Sequence, residues 1–498
     1  MFKNEVSEFI YKRTYSRWLE KEARREDWPE TIERFIGFVI SERPDIPEKT
    51  INKIRKYMVD FSVMPSMRFL WAAGPAAKKD NTCIYNCSFA KINSVDAFAE
   101  CLYILMCGTG FGFSVEQEEI DKLPAIPEIR SGRALKKVMI ADSKPGWADT
   151  VKILMQSLYD GQNLYFDYSE IRPEGARLMT MGGRASGPQP LIKLHDFIRE
   201  TMHNAQGRQL TSLECHDICN QIAEIVVVGG VRRSSQISLS DLHDKDMRHA
   251  KEWPYPIKRA MANNSAIYRE KPSAAEFLKE WASLALSGTG ERGIFNLQAA
   301  QNKAPPRRYA PLIQGTNPCG EIMLRDMQFC NLSEVVVRAD DDLDTLLDKV
   351  ETATWLGVIQ SSFTNFPYLR KELKKNCDVE ALLGVSLTGQ MDNPSVLSSD
   401  ALSALKSRVL RISRKASSIL GTKMPAATTC VKPSGTVSQL VDSASGVHPR
   451  YSQYYIRRYR ISTNDPLFSM MRDVGIPCNP ENGQNKEDAN TWVLEFPV

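Results

Sequence analysis

The chain has 498 residues, 42% hydrophobic, 25% charged and 9% aromatic, which excludes a disordered or collagen-like polymer. Its charge of +4, from 64 Lys and Arg against 60 Asp and Glu, is too balanced for the concentrated basic face of a nucleic-acid binder. No apolar run approaches ~18 residues and the start, MFKNEVSEFIYKRTY, lacks a signal-peptide core, so a cytoplasmic, enzyme-sized protein without a membrane partner is expected.

Taken in chain order, the first sixty residues read as helical, with Ile32, Phe35, Ile36 and Val39 at helical spacing. From Val63 onward short apolar runs meet glycine-containing turns and helical patterns: CGTGFGFSV, IAEIVVVGGVRRS, LLGVSLTGQM and CVKPSGTVSQL. That alternation predicts βα units around a mainly parallel sheet, with ligands beyond the carboxyl ends of the strands, where these glycine turns are expected. PAIPEIRSGR and KAPPRRYAPLIQ read as connections, and there is no internal repeat. The division expected is a helical region over 1–62 and a catalytic α/β region over 63–498.

Eleven cysteines are an odd number, too few for a disulfide scaffold of this length, so most are expected as reduced thiols. The close pairs CIYNC (Cys83, Cys87) and CHDIC (Cys215, Cys219) are not CxxC and lie about 130 residues apart, against the ~15–20 of zinc ribbons, so no metal site is expected. Cys101, Cys107, Cys215, Cys219, Cys377, Cys430 and Cys478 read as small buried hydrophobes.

The segment TNPCGEIMLRDMQFCNLSE places Asn317, Cys319 and Glu321 at alternate positions, which on an extended segment share one face. An amide, a thiol and a carboxylate in one small volume make a donor, a sulfur reactant and a general base. Cys330 follows 330 − 319 = 11 residues later, far enough for the chain to turn back toward Cys319. The local pattern alone also fits a buried cysteine beside a helix start. KPSGTVS offers Gly435 between hydroxyl residues ahead of a helical pattern, a phosphate cradle or a plain turn. The loop 108–112 is GxGxG, a weak dinucleotide signal, and Arg232 and Arg233 of GGVRRSS suit a phosphate, a base or solvent.

In order, YKRTYSRWL (11–19), MPSMRFLW (64–71), YNCSF (85–89), GTGFGFSV (108–115), SEIRPEGA (169–176), RASGPQPL (184–191), GGVRRS (229–234), MANNSA (261–266), TNPCGEI (316–322), KPSGTV (432–437) and YYIRRYRI (454–461) resemble a ribonucleotide reductase large subunit. They are most similar to the adenosylcobalamin-dependent class II enzymes, and the start resembles the monomeric triphosphate-reducing subgroup. The resemblance implies a ten-stranded α/β barrel, its last elements missing here, with the Cys319 loop as a central finger. It implies a transient thiyl radical on Cys319, a base in Glu321, a sugar-orienting amide in Asn317 and a redox dithiol in Cys87 and Cys330. It also implies substrate and phosphate contacts at Ser66, Asn86, Gly110, Pro433, Ser434, Gly435, Thr436 and Val437. A deoxynucleotide effector loop is implied at Gly229, Gly230, Val231, Arg232, Arg233 and Ser234.

The implied substrate is a ribonucleoside tri- or diphosphate, and the implied reductant is of thioredoxin or glutaredoxin type. The monomeric relatives carry a longer insertion after GFSV, so loss of their built-in dimer mimic, and with it a homodimer, is expected. Relatives continue beyond NTWVLEFPV through the last barrel elements and a C-terminal cysteine pair, so multiple turnover is expected to need a dithiol that reaches Cys87 and Cys330 directly. Two alternatives stand beside the class II reading. One is a large subunit, like those of compact viral relatives, whose radical comes from a ferritin-like metal subunit; the other is a non-catalytic nucleotide-binding paralogue.

Overall fold

In the computed structural model, residues 2–129, 137–176, 185–228, 234–463, 465–481, 485–487, 489 and 491–498 are described. The amino-terminal region is helical as expected, with helices Glu5–Thr14, Trp28–Glu42 and Glu48–Val59. Asp27 closes a capping box with Glu30 at the start of the second of these, satisfying two amide groups that would otherwise lack partners. Ile32, Phe35, Ile36 and Val39 are all buried along its inner face. There Phe35 and Phe38 meet Phe69 edge-on at 4.8 and 6.0 Å.

The main sheet has six strands in the order Gly293–Asn296, Ala262–Tyr268, Gln236–Asp241, Gly110–Ser114, Cys87–Lys91, Gln328–Phe329. The first five run parallel and the last is antiparallel. A second sheet sets Leu332–Val336 between Gly384–Thr388, parallel, and Val63–Met64, antiparallel. Because Gln328–Phe329 and Leu332–Val336 are nearly consecutive, Cys330 and Asn331 sit where the chain passes from one sheet to the other. Crossover helices, among them Val95–Met106, Ser212–Val228 and Leu343–Ser361, cover the outer faces. The strands are accordingly buried on both sides and read as continuous runs rather than alternations.

Among the described residues the mixed α/β architecture is as expected, with Gly293–Asn296 as an outer strand and no hydrogen-bonded ring closure displayed. Two expectations are corrected. IAEIVVV lies in the helix Ser212–Val228, not in a strand, and Ile222, Ala223, Ile225 and Val226 are buried in the main core. Gly110 and Gly112 of GTGFGFSV lie at the start of and within the strand Gly110–Ser114, with Gly108 in the turn before it, so the residues gathered around Cys87 and Gly110 stand at the amino ends of these strands, not beyond the carboxyl ends.

A separate inner apolar cluster fills the concave side of the main sheet. Phe89, Ile237, Leu239 and Ile267 meet Ile322 and Leu324 from a short hairpin, and Cys87 and Cys330 belong to the same cluster. That hairpin positions the site.

Candidate active site

The hairpin pairs Gly315–Thr316 with Met323–Leu324 and lies against the inner face of the sheet. Its approach depends on two glycines. A Cβ on Gly315 would stand 2.2 Å from the Phe89 ring, and one on Gly112 would stand 2.3 Å from the Thr316 carbonyl oxygen. The tip is a turn and not the extended segment expected from alternate spacing. Gly320 has φ +83°, its N–H donates to the Asn317 carbonyl at 2.9 Å, and the Ile322 N–H donates to Asn317 Oδ1 at 3.0 Å. Asn317 thus spends its amide oxygen on the turn and leaves Nδ2 buried without a protein partner. In a buried site an unpaired donor of this kind is costly unless a ligand or water meets it.

The turn brings Cys319 to two thiols distant in sequence. The Cys87 thiol lies near enough to those of Cys319 and Cys330 for each to shift its titration. The Cys330 N–H donates to the Cys87 carbonyl at 2.8 Å. Antiparallel residues hydrogen-bonded in this way hold their Cα atoms about 5.5 Å apart, within the range a disulfide spans. All three are free thiols, with Cys330 fully buried, Cys87 8% exposed and Cys319 exposed. The neighbouring Cys87 thiol, followed by burial, pushes the Cys319 thiol well up. For Cys87 the nearby Cys319 acts downward, but Cys330 and burial outweigh it. Protonated thiols of this kind suit hydrogen-atom chemistry better than nucleophilic attack, which needs a thiolate.

Burial pushes the Glu321 carboxyl up, opposed by the Asn317 side chain and by Lys432. Its Oε2 is buried without a protein partner. Glu321 also borders a cavity of about 510 Å3 between the hairpin and the outer strands, reached by Asn296, Asn331 and Thr429. The three thiols are not among the residues that line this cavity.

Ser66, Asn86 and Gly110 form one group beside Cys87. Ser66 Oγ donates to Asn86 Oδ1 and to the Ile84 carbonyl at 3.1 Å, and the Gly110 N–H donates to the Asn86 carbonyl at 2.8 Å. A Cβ on Gly110 would stand 3.2 Å from Cys87 Sγ. In the KPSGTV segment Ser434 takes a left-handed φ of +55° and leads into the helix Gly435–Val441. Ser434 Oγ is buried without a partner, Pro433, Gly435 and Thr436 are exposed, and Val437 is buried. Of the suggested effector loop, Gly229, Gly230, Val231, Arg232 and Arg233 lie outside the described residues, while Ser234 is half-buried. Sequence reasoning missed Glu334 and Lys432, which form a buried ion pair at 2.6 Å. Both stand inside segments it singled out, at the end of TNPCGEIMLRDMQFCNLSE and the start of KPSGTV.

Comparisons with known proteins agree with this architecture. Family models match residues 1–75 (ribonucleotide reductase alpha domain), 125–202 (B12-dependent ribonucleotide reductase, insertion domain) and 231–376 (ribonucleotide reductase, barrel domain). The adenosylcobalamin-dependent ribonucleoside-triphosphate reductase of Levilactobacillus brevis is 27% identical over 610 residues, covering 99% of this chain and 79% of its own. The enzyme of that name from Lactobacillus acidophilus is 28% identical over 607 residues, with the same coverage of 99% and 79%. A solved B12-dependent class II ribonucleotide reductase shares a TM-score of 0.81 at 25% identity, over 98% of this chain and 81% of that one. The class Id alpha subunit of Actinobacillus ureae, at 15% identity, 95% and 79% coverage and a TM-score of 0.59, is alike in fold alone.

The chain belongs to the ribonucleotide reductases, as a large chain carrying their barrel domain. Within that family its similarity runs, over nearly its whole length, to the class II enzymes. The match over 125–202 makes an insertion domain of B12-dependent ribonucleotide reductases recognisable in this chain.

Proposed function

We propose that this chain reduces ribonucleoside triphosphates to 2′-deoxyribonucleotides, with adenosylcobalamin as its radical source. The observation that carries the reading is the meeting of three thiols from separate parts of the chain, Cys87, Cys319 and Cys330, beside a carboxyl group and an unpaired amide. In this reading residues 63–498 are the catalytic region and 1–62 its helical amino-terminal part.

The exposed side of the hairpin tip suits a bulky cofactor, because Cys319 is exposed and nothing lies within 4 Å of a Cβ built on Gly320. Adenosylcobalamin, when bound, supplies the one-electron oxidation that makes the Cys319 thiol a thiyl radical. Cys319 takes the ribose 3′ hydrogen atom and later returns it. Glu321 accepts the 3′-hydroxyl proton, a general-base step worth ~10²–10⁴-fold in rate. Asn317 Nδ2 donates to the sugar. Cys87 and Cys330 provide two electrons and two protons: the 2′ carbon–oxygen bond breaks, the hydroxyl leaves as water, a hydrogen takes its place and the two sulfurs join as a disulfide. Ser66, Asn86 and Gly110, with Pro433 to Val437, hold the nucleotide and its phosphates. The burial of Cys87 and Cys330 in the inner apolar cluster keeps water away from the radical steps.

Our reading further assigns a deoxynucleotide effector to residues 229–234, a thioredoxin- or glutaredoxin-type reductant, a homodimer and a cytoplasmic location. Among the described residues no helix is long and apolar enough to cross a membrane. The test is anaerobic incubation with a ribonucleoside triphosphate, adenosylcobalamin and a small dithiol. Deoxynucleotide is expected from the native chain and none from Cys319→Ser. Without the dithiol, about one product per chain is expected; several per chain would remove Cys87 and Cys330 as the electron donors. Product that forms only after a metal-containing partner protein is added would replace the cofactor reading.

A further inference from the structure

The mechanism above leaves one buried ion pair unused. The Lys432 ammonium donates to Glu334 Oε2 at 2.6 Å, with 10% and 0% of the two side chains exposed. Glu334 lies four residues past Cys330 on the strand Leu332–Val336, in register with Ser386 on one side and Met64 on the other. Lys432 immediately precedes the Pro433–Val437 turn, and its own N–H donates to Ser386 Oγ at 3.0 Å. One pair therefore ties the strand that follows Cys330, the neighbouring strand and the phosphate turn together. Buried ion pairs are weak stabilisers, because desolvation offsets their attraction, and an apolar replacement of similar shape often does as well. Retaining this one calls for another role, and the second oxygen of Glu334, Oε1, remains buried without a partner.

We propose that Glu334 and Lys432 are positioning residues for the reaction: they lock the phosphate turn to the Cys330 strand and hold a fixed positive charge toward the Glu321 carboxylate. The proposal rests on Glu321 being the base. The charged and titratable groups facing Glu321 are Lys432, which favours its ionised form, Glu334, which opposes it, and the thiols Cys87, Cys319 and Cys430. Those facing Lys432 are Glu334, Tyr15, Cys430, Cys319 and Glu321 itself. Burial alone would lower the Lys432 amine, but the Glu334 carboxylate outweighs it and keeps the ammonium charged. Without that charge, a carboxyl already pushed up by burial becomes harder still to ionise.

The experiment is the pH dependence of deoxynucleotide formation in Lys432→Met, Lys432→Arg and Glu334→Gln. In the native chain the rate falls as acid protonates Glu321. Lys432→Met is expected to move that acid limb upward by about one pH unit, about a tenfold loss at a pH below it. Lys432→Arg brings the limb back toward its native position, and Glu334→Gln, which removes a facing negative charge, moves it downward. KM for the nucleotide rises in Lys432→Met as the turn loses its anchor. Because that variant strands a buried carboxylate, Glu334→Gln/Lys432→Met is measured beside it, and its limb is also expected above native, since the lysine acts on Glu321 more strongly than Glu334 does. A limb that stays in place in all four, with only thermal stability reduced, would overturn the proposal. Infrared titration of ¹³C-carboxylate glutamate, assigned by its loss in Glu321→Gln, reads the same proton without turnover. An upward shift there in a chain that forms no deoxynucleotide would refute the proposed function and leave this inference standing.

Discussion

At the scale of single residues the chemistry proposed rests on three thiols brought together from separate parts of the chain, with Cys319 exposed, Cys87 and Cys330 buried, and the Cys319 and Cys87 thiols pushed up toward their protonated forms. The carboxyl next to them sits in the opposite regime. Burial raises Glu321 above the ordinary carboxylate range, so the base form is present above that raised pKa and disappears as pH falls through it. The rate in the native chain is accordingly expected to fall on the acid side before an exposed carboxylate would titrate. Glu321→Gln should lower it by ~10²–10⁴-fold above the acid limb and leave a rate that no longer falls with acid, so that the deficit shrinks as pH drops, while nucleotide affinity measured by calorimetry changes little. These residue types were legible in the sequence because TNPCGEI carries an amide, a thiol and a carboxylate within five positions. The extended shared face that motivated the grouping was not, because Gly320 turns the tip and Asn317 Oδ1 seals it.

At the scale of elements, the hairpin and the sheet fit only because glycine stands at Gly112 and Gly315. Both contacts would fall far below ordinary van der Waals separation with a Cβ present. Gly315→Ala is expected to push the hairpin off Phe89 and cost about 1–3 kcal/mol of stability, read by denaturant unfolding, together with loss of Cys87–Cys330 bridging. A second change, Phe89→Leu, opens room for the added methyl and should restore part of both. If Gly315→Ala leaves stability and bridging as they were, the close approach is not what positions the finger. The run GTGFGFSV was conspicuous in the sequence for its glycines, but as a loop signal. Their strand placement and their purpose as space for a crossing hairpin depend on Thr316, about 200 residues away.

At the scale of the whole molecule, a buried network holds the base of the finger to the outer helices. Glu380, at the end of the helix Lys371–Glu380, accepts from Arg308 at 2.9 Å, Arg325 at 2.9 Å and Gln328 at 2.8 Å, and these partners flank the hairpin on both sides in sequence. Burial would raise the Glu380 carboxyl, but the Arg308 bonds, the Gln328 bond and the Arg325 charge outweigh it and hold it below the ordinary range. Since the folded value is the lower one, the network stabilises above the unfolded value and is lost as pH falls through the folded one. Glu380→Gln is expected to cost about 3–5 kcal/mol at neutral pH, because it leaves buried arginines uncompensated. The difference from the native chain should shrink as denaturation is repeated at increasing acidity. A difference that stays constant down to strong acid would assign the stabilisation elsewhere. The amino-terminal helix is drawn into the same body: Ser7 Oγ donates to the Gln439 carbonyl at 2.8 Å, on the helix that begins at the phosphate turn.

What the sequence determined by itself is what local physics controls. Helical spacing of Ile32, Phe35, Ile36 and Val39 specified a buried helix face, and the short apolar run of LLGVSLTGQM specified the strand Gly384–Thr388. The ordered motifs also named the residue types of the site. Only the tertiary structure brought the named Cys87, Cys319 and Cys330 together, committed Asn317 Oδ1 to the turn while leaving Nδ2 without a partner, and paired Lys432 with Glu334. The physical reason is range. Periodicity and turn chemistry act over a few residues, whereas a thiol pair or a buried ion pair forms where strands far apart in the chain come into register.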